Sequence, residues 1–93
     1  MIVIVDSNDF LNKLKGHTDH KAKLYDGINN DMPIDTALRY LIEEVGEVAT
    51  EISRERLSTA VNETIDVAHC AMLVCFAIQR EMKKRDEVGE FYI

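Results

Sequence analysis

The chain has 93 residues, 46% of them apolar, a formal charge of −6, one proline and two cysteines. That is room for one domain, residues 1–93, with a limited core of its own; it is too apolar for disorder and too acidic to hold a nucleic acid polymer through a basic surface. Aromatics are scarce and β-branched residues do not alternate, so an all-α domain is expected.

Residues 1–5 (MIVIV) are β-prone, a weak strand or an arm that packs elsewhere. Asp6 ends this run, so no signal peptide is expected from it. Ser7, Asn8 or Asp9 could cap a first helix. Phe10, Leu11 and Leu14 would share one face, Ala22, Leu24 and Tyr25 could extend it, and Gly16 could interrupt it. Residues 27–33 are rich in turn formers and read as a loop.

A second helix should begin near Pro33 or Asp35, since proline suits a first turn and aspartate an N-cap. Leu38, Leu41, Ile42, Val45, Val48, Ala49 and Ile52 then form an apolar stripe of helical period. At about 100° per residue, Glu43, Glu47 and Glu51 lie opposite the stripe and Glu44 at its edge. Arg54, Glu55 and Arg56 end the pattern.

A third helix should open at Leu57 or Ser58, capped by Ser58 or Thr59, and run to about Asp86. Residues 67–78 (VAHCAMLVCFAI) hold one polar side chain, His69, in twelve positions. A segment apolar on all sides needs protein all round it. Three helices cannot surround it, so an antiparallel bundle of three to four helices, completed by oligomerisation as a symmetric dimer, is expected. Nothing approaches the ~20 consecutive apolar residues of a membrane span. Cys70 and Cys75 cannot bridge each other within one helix and read as buried thiols of a reducing compartment, which points to the cytoplasm. Lys83, Lys84 and Arg85 suit a helix C-terminus. Phe91, Tyr92 and Ile93 form an apolar tail that could dock on a neighbour.

Chemistry concentrates in residues 41–66. Glu43, Glu44 and Glu47 form E-E-x-x-E; fifteen residues later Glu63 and Asp66 form E-x-x-D. Members of each group are surface neighbours on a helix. In an antiparallel hairpin turning near Arg56, Glu47 falls level with Glu63 and Glu44 with Asp66, each within about 3 Å of rise. Carboxylates so close repel unless a cation joins them. An all-oxygen ligand set suits Mg²⁺ or Mn²⁺ better than Zn²⁺. His69 could reach the edge of this site but reads as a hydrogen-bonded core histidine; His17 and His20 read as surface or substrate-facing.

Over residues 34–78 the chain resembles the MazG-like family of all-α nucleoside triphosphate pyrophosphatases, whose signature is E-E-x-x-E, a spacer and E-x-x-D. The resemblance implies hydrolysis of a (deoxy)nucleoside triphosphate between the α- and β-phosphates, house-cleaning of the nucleotide pool, Mg²⁺ dependence, and a homodimer or homotetramer. Carried over by motif position, it implies Glu44, Glu47, Glu63 and Asp66 as metal ligands and Glu43 as the water-activating base or a ligand of a further ion. Phosphates also call for cations, and Lys21, Lys23, Arg80, Lys83 and Lys84 are the candidates. Three alternatives stand beside this: a phosphoribosyl-ATP pyrophosphohydrolase on a similar scaffold, a di-iron carboxylate bundle, for which E-x-x-D followed by His69 is a partial match, and a non-catalytic helical interaction module.

Overall fold

A computed structural model describes residues 4–24 and 31–85, and these form three helices: α1 (Ser7–Leu24), α2 (Ile34–Ser53) and α3 (Leu57–Lys84). No strand occurs among the described residues. The calls on residues 1–3, most of the 27–33 loop, Tyr25, Asp86 and the apolar tail lie outside them.

The start of α1 is built by Asp6, one residue before the expected caps. Its Oδ1 accepts from the Asp9 backbone N–H at 2.9 Å, while Asp9 Oδ2 accepts from the Val5 N–H at 3.2 Å. Asp6 thus takes up an orphan donor of the first turn as an N-cap does, and Asp9 reaches back past it to the Val5 N–H. Gly16 does not interrupt α1, which runs unbroken through it. Phe10, Leu14, His17 and Lys21, at steps of four, three and four, are the half-buried row of α1, and Leu11 is 57% exposed.

Helix α2 starts after Pro33, whose φ of −65° suits a helix entrance but which offers no side-chain cap. It ends in a Schellman turn. Arg56 N–H bonds to Glu51 C=O at 2.9 Å and Glu55 N–H to Ile52 C=O at 3.0 Å, with Glu55 at φ 57°. Residues 54–56 suffice to reverse the chain, so α2 and α3 form an antiparallel hairpin. Arg56 precedes α3 without a side-chain cap, so neither Ser58 nor Thr59 caps it.

From Ala37 onward the covered positions of α2 are Ala37, Leu41, Glu44, Val48 and Glu51, and the row that α3 turns to them is Ala60, Glu63, Val67, Cys70, Val74 and Ala77. Both rows advance by alternating threes and fours, the seam of two packed helices. The most buried members are small, Ala37 at 1% and Ala77 at 3% exposure, which lets the backbones approach. Helix α1 runs alongside α3 in the same sense: His17 meets Asp66, and Thr18 meets His69 one turn on.

Two right-handed helices in opposite directions turn the same way about their shared seam. Positions one residue after the seam therefore lie on one side of the hairpin, and positions one before on the other. The "before" side carries Glu43 and Glu47 on α2, and Asp66, His69 and Leu73 on α3, where α1 packs. The "after" side carries Leu38, Ile42, Val45 and Ile52 on α2, exposed by 45–63%, with Leu57, Val61 and Ile78 of α3 beside them, exposed by 39–62%. The expected stripe of α2 thus splits: Leu41 and Val48 meet α3, and the rest is open. Residues 67–78 split likewise, with His69, Cys70, Leu73 and Ala77 buried but Ala71, Cys75, Phe76 and Ile78 exposed in the single chain. Cys75 accordingly is not the buried thiol expected from sequence. By length and apolar composition α3 is also long enough to cross a membrane; the shorter apolar run understated this.

Candidate metal centre

The hairpin register brings Glu44 of α2 together with Glu63 and Asp66 of α3, one carboxylate oxygen from each lying within 4.8 Å of the others. All three are half-buried. The Oε2 atoms of Glu44 and Glu63 are closed off from solvent with no hydrogen-bond partner among the described residues. Burial, then the charges of Glu47 and Asp66, push the Glu44 carboxyl up to about 7. Burial also raises Glu63, followed by its contact with Glu47 and the charge of Asp66. Closely placed carboxylates drawn away from water favour the proton over the charge, and a divalent cation reverses that preference.

Glu47 is exposed at the rim, near enough to act on both glutamates, but contributes no oxygen to the group of three. Glu43 is exposed on the same side of α2 and also stands outside that group. Glu51, on the α2 seam beyond Val48, has Arg56 Nε at 3.8 Å.

Helix α1 closes the site from one side. His17 Nε2 stands 2.7 Å from Asp66 Oδ1, at ion-pair distance but without hydrogen-bond alignment, and is itself enclosed. The His17 ring meets His69 edge-to-face at 5.2 Å between centroids. His69 is a core histidine, 6% exposed, with Nδ1 3.5 Å from Thr18 Oγ1, whose proton goes to the Leu14 carbonyl at 2.7 Å. Burial, then His17 and Lys21, hold His69 below its usual range, which favours the neutral ring. Burial raises the Cys70 thiol to about 11, so it stays protonated at neutral pH.

The basic candidates divide. Lys21 lies within electrostatic reach of His69 and Cys70 beside the cluster. Lys23 is exposed near the end of α1. Arg80 donates to the Met32 carbonyl at 2.8 Å and, with Lys84, borders a groove against the start of α2. At 1.5 Å per residue, Arg80, Lys83 and Lys84 are about 21 Å or more along α3 from Asp66. Within one chain they do not join the carboxylates.

Sequence reasoning read His17 as surface or substrate-facing without linking it to Asp66, and passed over Asn12, Lys13 and Asn62; all four border a cleft between α1 and α3 next to Asp66. For His17 a signal existed: it continues the Phe10–Leu14 step of the α1 seam, so it had to face a neighbour. The three others are polar residues on exposed turns and carry no such mark. No family model, curated protein or solved structure matches this chain.

Proposed function

We propose that this protein is a nucleoside triphosphate pyrophosphohydrolase dependent on Mg²⁺ or Mn²⁺. The observation that carries the reading is the convergence of Glu44, Glu63 and Asp66 within 4.8 Å, two of them with a buried, unpartnered oxygen. Such oxygens fit a hard cation, which replaces the missing partners and offsets the crowded charge. Glu44, Glu63 and Asp66 would hold it, with Glu47 completing the set from the rim. When bound, the cation supplies charge to offset that of the phosphates.

The chain's own residues do the rest. Glu43, exposed at the rim, takes the proton of the attacking water as its oxygen bonds to the α-phosphorus. The bond from that phosphorus to the oxygen bridging to the β-phosphate breaks, releasing monophosphate and pyrophosphate. Lys21 is the cation placed to meet phosphate. The cytoplasm is the compartment of this reading. Glu63 and Asp66 sit on α3 and turn to the same cluster as Glu44, and a shared ligand role supports a reading in which α3 packs within the protein instead of crossing a bilayer. A second copy on the open "after" side of the hairpin would wrap residues 67–78, giving a homodimer or, by further pairing, a homotetramer.

The test is incubation with a panel of ribo- and deoxyribonucleoside triphosphates and phosphoribosyl-ATP under Mg²⁺ or Mn²⁺, scoring pyrophosphate and monophosphate. At least one substrate should turn over, and Glu44→Gln and Asp66→Asn should each lower the rate by roughly 100-fold with helicity intact. No turnover of any substrate would defeat the enzymatic reading.

A second reading has one observation in its favour. His17 sets an imidazole nitrogen beside Asp66, and mixed carboxylate–imidazole sets suit iron. Stoichiometric iron and a near-ultraviolet absorption band after aerobic purification would support a di-iron bundle. Iron-free protein stabilised by Mg²⁺ would exclude it.

A further inference from the structure

We propose that the cleft between α1 and α3 receives the nucleoside half of the substrate, with Asn12 and Asn62 reading the base. This rests on the pyrophosphohydrolase reading and goes beyond it in naming the specificity site. The cleft has a volume of about 440 Å³, within the ~300–1,000 Å³ range of small-molecule sites. Asp66 belongs both to its wall and to the carboxylate cluster. A ligand held there by its phosphates therefore has the cleft as its adjoining space.

The lining suits a nucleoside. Ile65 is the apolar floor of the cleft and at 6% exposure is largely covered, so the surface open to a ligand belongs to the residues around it, Asn12, Lys13, Gly16, His17 and Asn62. Asn12 and Asn62 stand on two different helices, and their side chains, like that of Lys13, make no hydrogen bond or ion pair to another described residue. Each amide carries two donors and a carbonyl acceptor, the complement of a base edge with ring nitrogens and exocyclic groups. Gly16 keeps the cleft open. Glycine is a poor helix residue, yet close packing does not demand it here, because an added Cβ would meet nothing within 4 Å. The space it leaves is part of the cleft, and a longer side chain at 16 can enter it without displacing the backbone.

The test compares two probes by titration calorimetry on the full chain with Mg²⁺: α,β-methylene nucleoside triphosphates, which resist cleavage, and inorganic tripolyphosphate, which has no nucleoside. Wild type should bind at least one nucleotide analogue more tightly than tripolyphosphate. Gly16→Leu should weaken that analogue by at least ~10-fold while changing tripolyphosphate by less than ~2-fold. Asn62→Ala, which leaves the helix surface otherwise intact, should weaken it too and alter the ranking among bases. Circular dichroism establishes that each variant is folded. Variants that leave nucleotide affinity unchanged, or weaken both probes alike, overturn the cleft assignment alone. So does a wild type that binds both probes equally. A wild type that binds neither probe overturns the cleft assignment together with the pyrophosphohydrolase reading.

Discussion

Glu44 is the residue on which the site turns. Its folded pKa of about 7 stands above the ordinary 4.5. Between those values the folded chain keeps a proton that the unfolded chain has lost. Stability of the metal-free protein should therefore fall as pH rises through this window and level off above it. Thermal melts in chelator across pH 5 to 8 should show the decline. Glu44→Gln should flatten it and raise the melting temperature at pH 8 by a few degrees. Bound Mg²⁺ needs the carboxylate, so binding near pH 6 should release more protons than binding near pH 8, which calorimetry in buffers of different ionisation heat would detect. Melting curves that coincide for wild type and Glu44→Gln at both pH values would mean that Glu44 is not under the strain described. At this scale the convergence of the two motifs was legible from spacing, which set Glu44 level with Asp66 and Glu47 level with Glu63; that Glu44 and not Glu47 joins Glu63 and Asp66 in the group of three was not. The outward placement of Glu43 and Glu47 was legible in part, as residues opposite the apolar stripe. The approach of His17 to Asp66 was not, because the distance depends on where α1 docks.

Among the elements, the α2–α3 turn carries an identifiable cost. Glu55 occupies the left-handed position of the Schellman motif, which glycine fills more readily. Relief of that strain outweighs glycine's greater freedom in the unfolded chain, so Glu55→Gly should stabilise the protein by about 0.5–1 kcal/mol. A chemical-denaturation midpoint that moves the other way would show that the Glu55 side chain contributes more than its backbone costs. The existence of all three helices was readable from period and from breakers, because those signals are local. Their ends were less so. The α1 cap fell to Asp6, which accepts from the Asp9 N–H while Asp9 accepts from the Val5 N–H, and Gly16 was carried through the helix by flanking residues that hold the α1 seam on α3.

For the whole molecule, the open side of the hairpin is the dominant unexplained surface of a single chain. Ile42 at 63%, Val45 at 51%, Leu57 at 62% and Ile78 at 41% exposure lie along it. An apolar strip across two helices is a self-complementary surface for a two-fold partner. Sedimentation should show a dimer or tetramer for wild type and a monomer for the combined Ile42→Glu and Ile78→Glu variant, with a melting temperature that depends on concentration only in wild type. A monomeric wild type at high concentration would remove the oligomer from the proposal. Because this strip lies across the hairpin from the carboxylates, the variant tests assembly without touching Glu44, Glu63 or Asp66.

The helical class, the hairpin and the pairing of the two acidic motifs were determined by the sequence itself. Each follows from periodicity and a count of residues to a turn, and such quantities do not depend on distant partners. Only the tertiary structure decided which half of the α2 stripe meets α3. The two halves are adjacent rows of equal apolar character, and the choice belongs to the packing of one helix on another. The same packing placed α1 on the acidic side. That contact set His17 against Asp66, opened the cleft beside it, and left the apolar side of α2 and α3 uncovered.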